Sequence, residues 1–217
     1  MKTIRYIFVL PILVIASNVY GQDATYNNSA QSKLQLGVSY SSDINLSAEE
    51  IAFSQNTGYK TNYNQYNFTI GLNAQYFIIE NFALQSGLSY SSRQFEGTFY
   101  CYVCDVIGDP FKPQKISLQF LQVPIAVKYY PYNSKIGFFG KLGVLNQFMI
   151  GKPDIERLEE NTYLLSALLG AGVKYRLNYG FTTQLSVRYT NSLSDTFKNA
   201  DYSYNMLGMQ LSLLKHF

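Results

Sequence analysis

The chain has 217 residues, 17 Lys and Arg against 14 Asp and Glu, and a formal net charge of +3. That balance gives no basic stripe for nucleic acid, and one His with two Cys is too few for a His-rich or closed zinc site. Charged residues are only 14%, while Tyr and Phe number 20 and 15, a mixture that suits strands over helices.

The N-terminal stretch MKTIRYIFVLPILVIASNVYGQD carries Lys2 and Arg5, then an apolar run from Ile7 to Ala16, then Val19-Tyr20-Gly21. This is the pattern of a secretory signal peptide over residues 1–21. The run is roughly half the ~20 residues that a spanning helix needs. No Cys lies near the cut, which argues against a lipoprotein. Residues 22–32, including NNSAQS, read as a short periplasmic arm, and residues 33–217 as one domain.

From residue 33 onward the pattern has period two, the mark of strands with unlike faces. Eight segments carry it: 33–44, 64–78, 82–95, 115–130, 136–149, 163–176, 180–191 and 203–217. The second is the cleanest, with Tyr66, Phe68, Ile70, Leu72, Ala74, Tyr76 and Ile78 alternating with Asn67, Thr69, Gly71, Asn73, Gln75 and Phe77. In the fourth the apolar phase slips, from Ile116, Leu118 and Phe120 to Leu121, Val123, Ile125, Val127 and Tyr129. A slip of one residue predicts a β-bulge near Phe120, and Pro124 predicts a missing ladder hydrogen bond. The last segment, NMLGMQLSLLKHF, alternates through Leu207, Met209, Leu211 and Leu213 and finishes on Phe217.

Connections alternate between short and long. IEN, PYNSK and LNY are short; residues 45–63 and 96–114, and the connections after the fifth and seventh segments, are long. Short turns at one end and long loops at the other predict an all-β, eight-stranded antiparallel up-and-down transmembrane β-barrel, with both termini in the periplasm. Lipid cannot satisfy backbone polar groups, so such strands must close. A barrel of that size is filled by its inward side chains. Asn67, Asn73, Gln75, Gln85, Arg93, Lys128, Lys141, Lys174, Arg176, Arg188 and Gln210 are the expected polar lumen, with few inward acids to match the bases. Tyr76, Phe82, Tyr129, Tyr175, Phe181 and Phe217 form one aromatic band, and Tyr40, Tyr66, Tyr90, Phe148 and Tyr189 a second, as expected of interfacial girdles. Parity alone does not say which face is inside. A lipocalin-like soluble barrel inverts the faces, but its connections are mostly short hairpins.

Chemistry is sparse. His216 has Lys215 and Phe217 for neighbours, a poor setting for a Ser-His-acid site. Cys101 and Cys104, in CYVC, lie in a long loop, and two cysteines in an exported chain suggest a loop-stapling disulfide. Free thiols, or a redox or metal pair, are the alternatives; nothing predicts the helix N-terminus that redox chemistry normally uses. Acidic residues concentrate in the long loops, a solvated face or sites for divalent cations bridging lipopolysaccharide. No phosphate loop and no cofactor motif is present.

The stretch LQFLQVPIAVKYYPYNSKIGFFGKLGVLNQFMI resembles the hallmark hairpin of the PorT-like outer-membrane β-barrel family of Bacteroidota, at Leu121, Val123-Pro124, Val127-Lys128-Tyr129 and Gly140 to Gly143. LSVRYTNSLSD and the final strand resemble its last two strands. CYVC is not part of that pattern. The resemblance implies an outer-membrane barrel and leaves its activity open; some relatives are implicated in secretion or gliding. Leu211, Leu213 and Phe217 resemble the signal read by the outer-membrane assembly machinery. The expectation is a non-enzymatic, monomeric envelope protein of a Gram-negative cell that presents four external loops. Its expected partners are outer-membrane lipid, lipopolysaccharide, and an envelope protein or extracellular ligand. Small-solute or secretion-linked transport is the alternative, and a lipid-modifying enzyme a weaker one.

Overall fold

The computed structural model describes residues 33–47, 50–102, 112–132, 134–151, 158–200 and 202–217. The expected signal peptide and arm, and Cys104, lie outside them. Ten strands follow in chain order: β1 (Leu34–Asn45), β2 (Glu50–Ser54), β3 (Thr57–Asn62), β4 (Asn67–Ile79), β5 (Phe82–Cys101), β6 (Gln114–Tyr129), β7 (Ile136–Gly151), β8 (Tyr163–Arg176), β9 (Phe181–Ser192) and β10 (Asn205–His216).

Eight of them form a closed antiparallel barrel. Each strand from β4 to β10 pairs with the next, and β1 joins β4 to β10. The closing seam runs from Gln35↔His216 to Asn45↔Met206. Closure leaves the barrel wall without a free edge. The β8–β9 turn is tight, with Tyr179 at φ 63 and Gly180 at φ 75. Positive φ at two central residues gives a hairpin turn the twist of its flanking strands, and Gly180 adopts it without a Cβ penalty.

The faces are sorted as a membrane requires. Val38, Ile70, Leu72, Leu88, Ile125, Leu142, Leu169, Val187 and Leu213 stand exposed on the outside. Inward positions between them are polar and buried, including Gln35, Asn73, Gln85, Gln122, Gln184 and Gln210. A lipocalin-like interior is the reverse of this.

Two sequence expectations change. Residues 45–63 are not a plain loop: β2 and β3 form a hairpin, with Glu50↔Lys60 and Ile51↔Tyr59, and β3 continues onto the end of β5 as Thr57↔Cys101 to Asn62↔Glu96. β5 therefore runs beyond residue 95 and stands above the barrel rim with the start of β6.

The second change concerns Phe120. A register shift does occur at its height, but the extra residue is Ile150 on β7, because Gln119 and Phe120 face Gly151 and Met149. Toward β5 the register of β6 is constant from Phe82↔Tyr129 to Gly97↔Gln114, with pairs missing only opposite Pro124 and Val123. The buried residues of β6 keep one parity from Ile116 to Lys128. The apolar slip is thus a change in what the interior contains, not a turn of the strand.

Candidate functional site: the barrel interior and its cap

Inward side chains stack in levels. At the turn end Phe77, Ala83, Tyr130 and Phe139 form a small buried cluster. Lys128 lies directly above it. Its Nζ donates to Gln184 Oε1 at 2.7 Å and Gln75 Oε1 at 3.2 Å, and it sits 4.8 Å from the Phe139 ring centroid. Gln75 and Gln184 in turn donate to Tyr130 Oη at 2.8 and 3.2 Å. Lys174 covers the other side of Tyr130 at 4.5 Å. Arg176, expected in the lumen, is only half-buried near this end.

At mid-height Asp43 supplies the acid that the inward bases lacked. Arg188 Nη2 donates to both of its oxygens at 3.0 and 2.9 Å, Ser41 Oγ donates to Oδ1 at 2.6 Å, and Thr69 Oγ1 to Oδ2 at 2.7 Å. A buried ion pair holds only when its spare lone pairs are satisfied in this way. Gly208, across from Asp43, is required here: a Cβ would overlap Asp43 Oδ1. Alternation in β1 places Asp43 inward, on the same face as Gln35, Ser39 and Ser41. Lys141, one step away, donates to Gln210 Oε1 at 2.8 Å.

At the loop end Arg93 is fully buried. Its guanidinium lies 4.4 Å from the Phe120 ring centroid and 4.6 Å from that of Tyr204. Below, Nη2 donates to Gln147 Oε1, which also accepts from Gln122 Nε2 at 2.9 Å, while Gln147 Nε2 donates to Ser166 Oγ at 2.6 Å. Gln122 was missed because the apolar slip in β6 disguised its parity. Phe77 was placed on the inward face but not among the lumen residues; Tyr130 and Phe139 were missed, since aromatics read as girdle.

Above Arg93 the interior becomes apolar. Ile51, Tyr59, Phe95, Phe99, Ile116, Leu118, Leu158, Leu164, Phe197, Tyr202 and Met206 form one buried cluster. Two loops cross-link beneath the hairpin through Asn161 N to Thr196 O at 3.0 Å and Lys198 N to Glu159 O at 2.7 Å. Cys101 ends β5 and is not a free thiol. His216 Nε2 lies 2.7 Å from Thr182 Oγ1 and 3.1 Å from Gln35 Nε2, partners its sequence neighbours did not suggest. No group of three His, Cys, Asp or Glu suited to a metal occurs among the described residues. Girdle residues Tyr40, Tyr66, Tyr76, Phe82, Tyr129, Phe148, Tyr189 and Phe217 are exposed on the outside. Leu211 and Leu213 face outward on β10, and Phe217 N donates to Leu34 O at 3.0 Å.

A closed barrel with an apolar belt outside and polar levels inside is the architecture of a membrane-spanning β-barrel. Residues 12–213 match the model of the outer membrane protein beta-barrel domain. The chain belongs to that family and to the outer membrane. Among solved structures it is similar to OprG of Pseudomonas aeruginosa, with a TM-score of 0.59 and 12% identity over 86% of this chain and 96% of that one. It is also similar to Neisserial surface protein A, at a TM-score of 0.49 and 10% identity over 87% of this chain and 100% of that one. At such identities the likeness is one of fold. No curated protein matches the chain in sequence.

Proposed function

We propose that the protein is a non-enzymatic, non-conducting barrel that works from its loop end. There it presents the β2–β3 hairpin and the projecting ends of β5 and β6 to a partner or ligand at the cell surface. One observation carries this reading: the loop end has an apolar core of its own, closed over an interior already filled by side chains. A pore has no use for such a core, whereas a presented surface needs its rigidity. In this reading the short turns and both termini are periplasmic, Leu211, Leu213 and Phe217 serve assembly, and the chain is one of the PorT-like barrels of Bacteroidota.

Planar-bilayer recording and a hairpin exchange test it together. The purified barrel is expected to stay closed. Replacing residues 50–62 by a short turn is expected to leave heat-modifiable gel migration intact and to abolish surface contacts trapped by cross-linking in the native envelope. Steady single-channel currents from the unaltered protein would favour solute transport instead.

A further inference from the structure

We propose that the barrel interior binds one chloride-sized anion at mid-height, beside Lys141, Asn73 and Arg188. A space of about 20 Å³ lies there, bordered by Ser39, Ser41, Asn73, Ser89, Lys141 and Arg188, with Pro124, Leu145 and Leu168 among its apolar walls. About 10–15 Å³ is enough for one water-sized particle. A phosphate or a carboxylate does not fit.

Charge selects among particles of that size. The buried charged residues among those described are Arg93, Lys128, Lys141, Lys174 and Arg188 against Asp43 alone. Asp43 is committed to Arg188, which neutralises it. Arg93 and Lys174 lie against aromatic faces, and Lys128 has two amide oxygens and an aromatic face. Lys141 is the exception: its ammonium has three N–H groups and, among the described residues, one acceptor, Gln210 Oε1. Two donors remain, and the nearest buried acid, Asp43, is already bound by Arg188.

A second donor points the same way. Asn73 Nδ2 is buried without an acceptor and borders the same space. Gln85 Oε1, also without a partner, is the one discordant group. Its Nε2 donates to Asn73 Oδ1 at 3.4 Å, which fixes the Asn73 amide with its oxygen occupied and leaves Asn73 Nδ2 for the anion. A buried cation is stable only when paired or otherwise neutralised. A chloride here would accept from Lys141 and Asn73 and balance the Lys141 charge. Gly170 shapes the site, since a Cβ there would strike the Lys141 stem.

The site lies within the barrel interior, so the anion is best supplied while the barrel folds. Protein refolded into detergent micelles in bromide and then crystallised is expected to show an anomalous peak within hydrogen-bond reach of Lys141 Nζ. In urea titrations at fixed ionic strength, with gluconate replacing chloride, the folded-to-unfolded ratio should rise about tenfold per tenfold chloride once the site saturates. Lys141→Met should lose both the peak and the dependence. Asn73→Asp supplies a built-in anion at the same place, and is expected to assemble and to ignore chloride. A water peak with no bromide would overturn the proposal in favour of a neutral lysine. An equal chloride response in the unaltered protein and Asn73→Asp would overturn it as a general salt effect.

Discussion

The same two strands, β5 and β6, line two regions with opposite interiors. Below Arg93 their inward residues are Gln85, Ser89, Ser91, Gln122 and Lys128, and their outward ones Leu84, Leu88, Ile125 and Val127. Above it the inward residues are Phe95, Phe99, Ile116 and Leu118, and the outward ones Gln94, Glu96, Thr98, Lys115 and Ser117. The strands do not turn over; the medium outside them changes. Where lipid covers the outer face, apolar residues belong there and the inside is left to hydrogen bonds. Where water covers it, burial of apolar surface takes over and the inside becomes an ordinary core. Arg93 marks the boundary, with aromatic rings on its guanidinium and the Gln147 amide oxygen on its Nη2.

The difference predicts how each region fails. Asp43→Ala should have the largest effect, about 3–5 kcal/mol, because it strands the Arg188 charge among buried dipoles. Urea unfolding of the refolded protein, followed by circular dichroism, would read it as loss of the whole barrel. A change below about 1 kcal/mol would mean that the polar levels contribute little and that wall pairing alone holds the barrel.

Ile51→Ala in the cap should come next. Ile51 is fully buried beneath the hairpin, and such truncations cost about 2–5 kcal/mol. The loss should stay local, since the cap's core is separate from the cluster at the turn end. Limited proteolysis is expected to cut near β2 and β3 while heat-modifiable migration is unchanged. If barrel and cap melted together, the two regions would be one cooperative unit and the contrast between them merely chemical.

These regions were unequally legible. β4, with a clean alternation and short connections at one end, was readable to within a few residues. Arg93, Lys128, Lys141, Lys174 and Arg188 were readable as inward too, because a charge in mid-strand cannot face lipid, whereas Arg176 at the strand end is only half-buried. β2 and β3 were not: each is short, and Ile51 and Phe53 mean little until the hairpin packs against the upper ends of β5 and β6 and the neighbouring loops. The slip at Phe120 predicts a bulge, and a register shift does lie at that height with its extra residue on β7, but the slip itself comes from the change in the interior. Periodicity reports that two faces differ, and a swap of their roles along one strand looks the same as a bulge. Asp43 was missed for a smaller reason, since an acid at a strand end reads as the start of a loop.

The finest test lies in the cap's phenols. Tyr63 Oη and Tyr202 Oη are 2.8 Å apart, and burial, with the neighbouring phenols Tyr204 and Tyr63, holds the Tyr202 phenol well above its usual pKa. Tyr63→Phe removes the hydrogen bond to Tyr202, and is expected to cost the cap about 0.5–1.5 kcal/mol without touching the barrel. The pH dependence has a definite sign. A phenol with a raised folded-state pKa keeps its full stabilisation below the unfolded value, about 10, and loses it as the pH climbs toward the folded one. Cap protection against protease should therefore fall above about pH 10, while heat-modifiable migration, set by the lipid-facing wall and the polar levels, stays constant. A barrel that lost its folded migration over the same pH range would show that Tyr202 and Tyr204 close the lumen as well as the cap, and would move the boundary between the two regions below Arg93.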